Sequence, residues 1–179
     1  AALAMINTFV ATAAGGLFWM LAERLSGHKG SALGFCSGIV AGLVAVTPAA
    51  GNAGPFGAIV LGAIASFICY FAVTWLKPKL GYDDALDTFG IHGVGGMVGA
   101  MGTGIVYSAA LGGPSGADWD MGHQLWVQFL AVGTTIIWAA VGTVISIFVA
   151  KLLTGLRVSA EVEREGLDLG EHGERAYNY

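Results

Sequence analysis

Four stretches of this chain contain no Asp, Glu, Lys or Arg: residues 1–22, 30–76, 88–117 and 121–150. A helix needs about 20 apolar residues to cross roughly 30 Å of hydrocarbon, and each of these runs is long enough for at least one crossing. Only 11% of the 179 residues are charged and 55% are hydrophobic, against about 25% charged in ordinary soluble domains. A soluble fold of this composition would expose large apolar patches. The pattern therefore specifies an all-α, polytopic bundle of transmembrane helices.

Punctuation by charge and proline divides the chain into five spans, expected at about 1–22, 31–47, 55–76, 84–111 and 124–153. Together they make a transmembrane domain over 1–154, followed by a polar tail over 155–179. The first segment is too long, and too free of flanking basic residues, to be a signal peptide. The last span exceeds the bilayer core, so it is expected to tilt or project.

The loops alternate in charge. Arg24, His28 and Lys29 follow the first span, Lys77 and Lys79 follow the third, and Lys151 and Arg157 follow the fifth. The loops after spans two and four carry no Lys or Arg. The positive-inside rule then predicts a cytoplasmic tail and an outside N-terminus, with further spans expected ahead of Ala1. The formal net charge is −4 with no basic patch, which excludes nucleic acid as a partner.

The 29 glycines indicate close packing. Gly38 with Gly42, and Gly95 with Gly99, have the spacing that lets membrane helices approach closely. Residues 47–55 combine Thr47, Pro48, Gly51, Gly54 and Pro55 and read as a helix break, placed at the outer surface or against a polar cavity. Cys36 and Cys69 lie in apolar runs and read as small buried hydrophobes. They have no metal spacing, so neither a metal nor a cofactor is expected.

His92 is the candidate of most interest. Eight residues after Asp84, it is expected about 12 Å into the membrane from the cytoplasmic side. An ionisable group at that depth marks an ion, proton or substrate path, and neutral imidazole offers one donor and one acceptor nitrogen. Two other readings stand beside this one: a histidine bonded to a neighbouring helix, and a haem ligand, which needs a second axial partner. The glycines around His92 lack dinucleotide-site spacing, and no strand precedes them. Asp84 and Asp87 are expected in the first turn of span four, as caps or as substrate contacts. His28, His123 and His172 read as solvated. Trp75, Tyr82, Tyr107 and Trp126 fall near span ends, as an aromatic belt requires.

The string Asp87-Thr-Phe-Gly-Ile-His-Gly-Val-Gly-Gly96 resembles a signature of the ammonium transporter (Amt/Rh) family. Ala41-Gly-Leu-Val-Ala-Val-Thr-Pro-Ala-Ala-Gly51 is similar to a second family segment. Glu163-Arg-Glu-Gly-Leu-Asp168, with His172-Gly-Glu174 and Ala176-Tyr177, resembles the tail of bacterial members. The resemblance covers the last five of the family's eleven spans. It implies an inverted-repeat channel fold, a homotrimer with one pore per protomer, and a bacterial inner membrane location. It also implies passage of ammonium or ammonia through a narrow apolar pore holding two facing histidines, of which His92 matches the second. Thr88, Ser37 and Val40 match pore-lining positions, and Asp84 matches a structural helix cap. In the tail, Glu165, Gly166, Asp168, His172, Gly173 and Glu174 match positions that meet a PII-type signal protein.

The expected function is thus transport, not enzymatic catalysis. His92 is expected to project into a narrow lumen with one wall open in this chain. A non-transporting, ammonium-sensing membrane subunit is the alternative, and a haem-bearing electron carrier is a third class.

Overall fold

The computed structural model of the protein describes residues 1–175, and all their regular elements are helical. The chain forms two units, Ala1–Gly133 and Thr134–Tyr179. The first opens with α1 (Ala2–Leu25), α2 (Ala32–Val46) and α3 (Pro55–Phe71). A π-helical turn, Ala72–Leu76, extends α3 into the short α4 (Lys77–Leu80). A second π-helical turn, Phe89–Gly93, opens α5 (Val94–Val106). The long α6 (Met121–Leu153) starts in the first unit and continues in the second. The second unit also contains α7 (Ala160–Glu165) and α8 (Leu167–Gly170).

Among the described residues, four helices are long and apolar enough to span a membrane: Ala2–Leu25, Pro55–Leu80, Phe89–Val106 and Met121–Leu153. The second expected span is shorter. With 15 residues, α2 is about 22 Å long, less than a full hydrocarbon thickness. It stops because Pro48 has no N–H for the next helical rung. The backbone tightens instead, with Thr47 N–H donating to Val44 O at 3.3 Å and Ala49 N–H to Val46 O at 2.8 Å.

The fourth span also differs from expectation. The helix starts at Thr88, not Asp84. Asp84 stands outside it, its Oδ1 accepting from Thr88 N–H at 2.9 Å and its Oδ2 from Phe89 N–H at 2.8 Å. Asp87 has φ +56°, a left-handed conformation that a helix cannot extend through. Both aspartates therefore precede the first turn. His92 lies four residues, about 6 Å, into the helix. At the far end α5 stops at Val106, and a 3₁₀ turn, Ala109–Leu111, comes next. The fifth span begins earlier than expected, since Asp120 Oδ1 accepts from Gly122 N–H at 2.8 Å and His123 N–H at 3.2 Å.

Within the first unit, α1 packs on α2 and α3, and α5 packs on α2 and α3. These seams are set by small residues meeting backbone. A Cβ on Gly42 would strike the Ala11 carbonyl, and one on Gly99 would strike the Ala45 carbonyl. Close approach of this kind replaces the hydrophobic drive that lipid does not supply. Buried Ser66 donates its hydroxyl to Gly15 O at 2.7 Å, joining α3 to α1. Cys69 is buried, as expected, whereas Cys36 is exposed: an apolar run marks a helix, not which of its faces packs inside the unit.

Candidate functional site

The segment that carries His92 is held on three sides. Ahead of it, the Asp84 carboxylate caps Thr88 and Phe89, and Asp87 O accepts from Ile91 N–H at 2.9 Å. On one flank Gly90 meets α3's extension, where a Cβ at position 90 would come within 2.7 Å of Val73. On the inner side Ile91 is 6% exposed, in a cluster with Trp19, Ala22, Ala41, Cys69 and Tyr70. The Cys69 thiol points to Ile91 O at 3.8 Å. A π-helical turn displaces the regular hydrogen-bond ladder, and such turns are common at functional sites.

Adjacent residues on a helix project about 100° apart. Anchoring Ile91 in the core therefore turns His92 away from it. His92 is exposed, and it has no hydrogen-bond partner among the described residues. Thr88, one turn earlier, is exposed as well, and residues four apart share a helix face.

On α2, Val40 packs against the cluster that holds Ile91. Ser37, three residues before it on the same face, is partly buried. The structure thus brings Val40 to the wall behind His92 and puts Thr88 on the His92 side of its own helix. Among the described residues no hydrogen bond joins the Ser37 or Thr88 side chain to His92, and no group of three or more His, Cys, Asp or Glu side chains could hold a metal.

The tail residues fold locally. Ser159 caps α7, accepting from Val162 N–H at 3.3 Å, and Arg157 pairs with Glu163 at 2.9 Å. Gly166 (φ +105°) bends the chain between α7 and α8, and Gly173 (φ +66°) bends it again after α8. Glu165 ends α7, and Asp168 lies in α8. Glu174 N–H donates to Asp168 O at 2.8 Å, and His172 N–H donates to Leu167 O at 3.3 Å. Ala176 and Tyr177 lie outside the described residues.

Two residues matter more than their sequence context suggests. Asn7 is fully buried on α1, and its Nδ2 donates to Ala50 O at 2.8 Å and Ala53 O at 2.7 Å. It pins the break between α2 and α3 to the first helix. Pro48 and Asn52 of that break line a cavity of about 450 Å³ with Thr103, Tyr107, Trp119, Gln124 and Gln128. A lone amide inside a charge-free run is the available signal for Asn7. Lys77 reads in sequence as an orientation mark only. In the fold its Nζ sits 2.6 Å from Asp87 Oδ1 and 2.6 Å from Asp84 O.

Residues 1–177 match the family profile described as the Ammonium Transporter Family. A protein named ammonium transporter from Aquifex aeolicus (strain VF5) is 51% identical over 178 residues, 99% of this chain and 42% of that protein. The crystal structure of Mep2 from Saccharomyces cerevisiae superposes with a TM-score of 0.76 at 34% identity, over 89% of this chain and 37% of that one. A solved structure described as a sensor Amt protein superposes with a TM-score of 0.83 at 26% identity, over 95% of this chain and 42% of that one. The chain spans less than half the length of each of these relatives. Near-complete coverage of this chain by the family profile, together with a 51% identical relative, establishes that it belongs to the ammonium transporter family.

Proposed function

We propose that this chain forms one half of a pore that carries ammonium or ammonia across a membrane, with His92 as one histidine of a proton relay. The observation that carries the reading is the contrast between Ile91, anchored in the core, and His92, turned out of it with no partner among the described residues. A histidine so placed is available to a second wall. Membrane proteins turn such groups toward an interior or a lumen, because lipid contact is costly. Val40 and Ile91 supply apolar surface behind the imidazole, and Thr88 and Ser37 add hydroxyls at the rim. A neutral imidazole can accept a proton at one nitrogen and donate from the other, which suits passage of a proton separately from ammonia. Asp84 serves as the cap that fixes the start of this helix.

In this reading the remaining spans supply the facing histidine, and three protomers assemble with a pore in each. The tail faces the cytoplasm of a bacterial cell. Glu165, Gly166, Asp168, His172, Gly173 and Glu174 form the surface that takes a PII-type signal protein. The glycine bends at 166 and 173 support a shaped docking segment over a random one.

A second reading, an ammonium-sensing subunit that does not transport, is supported by the likeness to the sensor Amt structure. Ammonium and methylammonium flux through the intact protein in proteoliposomes separates the two. Flux well above protein-free vesicles is expected. Ammonium binding without flux would select the sensor.

A further inference from the structure

We infer that Lys77 is a positioning residue for His92, acting through the turn at residues 84–88; the inference rests on the relay reading above. A lysine at the membrane end of a helix ordinarily faces headgroups and water. Lys79, two residues on, lies over the Trp75 ring at 4.6 Å, at the belt level where aromatic side chains gather. Lys77 does something different. Its ammonium makes two 2.6 Å bonds to the neighbouring turn, to the Asp84 carbonyl and to the Asp87 carboxylate. The Lys77 and Asp87 side chains are only 27% and 30% exposed.

Both acceptors belong to the turn that starts the His92 helix, and they control different parts of it. Asp84 uses its backbone carbonyl for Lys77 and its carboxylate for the Thr88 and Phe89 amides. Asp87 uses its carboxylate for Lys77 and its carbonyl for the Ile91 amide, immediately before His92. One ammonium therefore holds both residues whose other polar groups fix the first turn. It also holds Asp87 at φ +56°, a conformation disfavoured for a residue with a Cβ. Without that partner the carboxylate has no reason to stay, and the backbone is free to relax toward ordinary φ.

The two π-helical turns fit the same arrangement. The extra residue in Ala72–Leu76 rotates the residues beyond it by about 100° relative to an unbroken helix. Lys77 comes directly after it. The turns touch where Gly90 lies against Val73. The end of α3 thus grips the His92 segment twice, by van der Waals contact at Val73 and by hydrogen bonds at Lys77.

The test compares wild type, Lys77→Met, Lys77→Arg, His92→Ala and the Lys77→Met/His92→Ala double variant, each as the intact protein in proteoliposomes. Ammonium flux is measured against pH. Lys77→Met is expected to lower flux by roughly tenfold or more, the scale set by small displacements of a reacting group, and to shift the pH profile. Lys77→Arg, which keeps the charge and both acceptors, is expected to restore both. In the His92→Ala background, Lys77→Met is expected to add nothing, as for residues acting as a unit.

A wild-type profile for Lys77→Met beside an altered His92→Ala overturns this inference and leaves the relay standing. An equal loss in both backgrounds also overturns it, since Lys77 then acts elsewhere. A wild-type profile for His92→Ala overturns the relay reading and this inference together. Should Lys77→Met fail to assemble, Asp87→Asn removes the same ion pair while keeping shape. It is expected to shift the profile in the same direction, and an unchanged profile there overturns the inference.

Discussion

Asn7 and Ala53 are 46 residues apart in sequence, and the Asn7 amide donates to the Ala53 carbonyl at 2.7 Å inside the bundle. The same Nδ2 reaches Ala50 O, so one side chain satisfies two carbonyls freed where the chain leaves α2. A buried backbone carbonyl outside a helix needs such a partner. Asn7→Ala leaves both carbonyls unpaired, at a cost of about 1–3 kcal/mol for an unsatisfied buried group. The variant is expected to melt several degrees below wild type in detergent, read by intrinsic fluorescence. Asn7→Leu is expected to do no better, since it supplies no donor.

The glycine seams give a second prediction. At Gly42 the space for a Cβ is occupied by the Ala11 carbonyl, a backbone group that cannot swing aside. Gly42→Ala is expected to separate α1 from α2 and to reduce the yield of monodisperse protein severely. At Gly116, among the described residues, no atom beyond the adjoining ones lies within 4 Å of the position a Cβ would take, so Ala is expected to be accepted there with no change. Size-exclusion profiles of the two variants make the comparison.

The charge pattern predicts the topology. Gly116→Cys lies between spans four and five, and Ser159→Cys lies in the tail. The lysine and arginine asymmetry predicts opposite faces. A membrane-impermeant maleimide added to intact cells is expected to label position 116 and spare position 159. Labelling of both from one side would contradict that assignment.

Deleting residues after Ala160 removes most of α7 together with the bends at Gly166 and Gly173. Co-purification of a PII-type protein is expected to disappear while flux remains. Undiminished co-purification would place the docking surface elsewhere.

Much of the bundle is legible in the sequence because charge-free runs and proline mark apolar helices directly. The His92 motif is legible for a different reason: an ionisable residue inside such a run stands out. The helix start is not. Asp84 and Asp87 have the composition of a first turn, and only the left-handed backbone at Asp87 puts them outside it. The π-helical turns leave no trace in periodicity, because each shifts the pattern by a single residue. Lys77 is visible as a charge at a membrane end, but its bonds to the Asp84 carbonyl and the Asp87 carboxylate are visible only in the fold. Asn7 is hard to read because uncharged polar residues in an apolar run rarely declare which backbone they serve. The end of α2 is legible for the same reason as the bundle: the span is expected over 31–47, ahead of Pro48, and the helix runs Ala32–Val46.

The role of His92 in moving protons during transport is the centre of this reading. It is tested most directly by replacing His92 with Ala in the intact protein and measuring ammonium flux and ammonium-to-potassium selectivity in proteoliposomes. Loss of a positioned proton-transfer group is expected to lower ammonium flux, or to degrade selectivity, by about a hundredfold, with assembly unchanged. Wild-type flux and selectivity in an assembled His92→Ala protein would contradict that role.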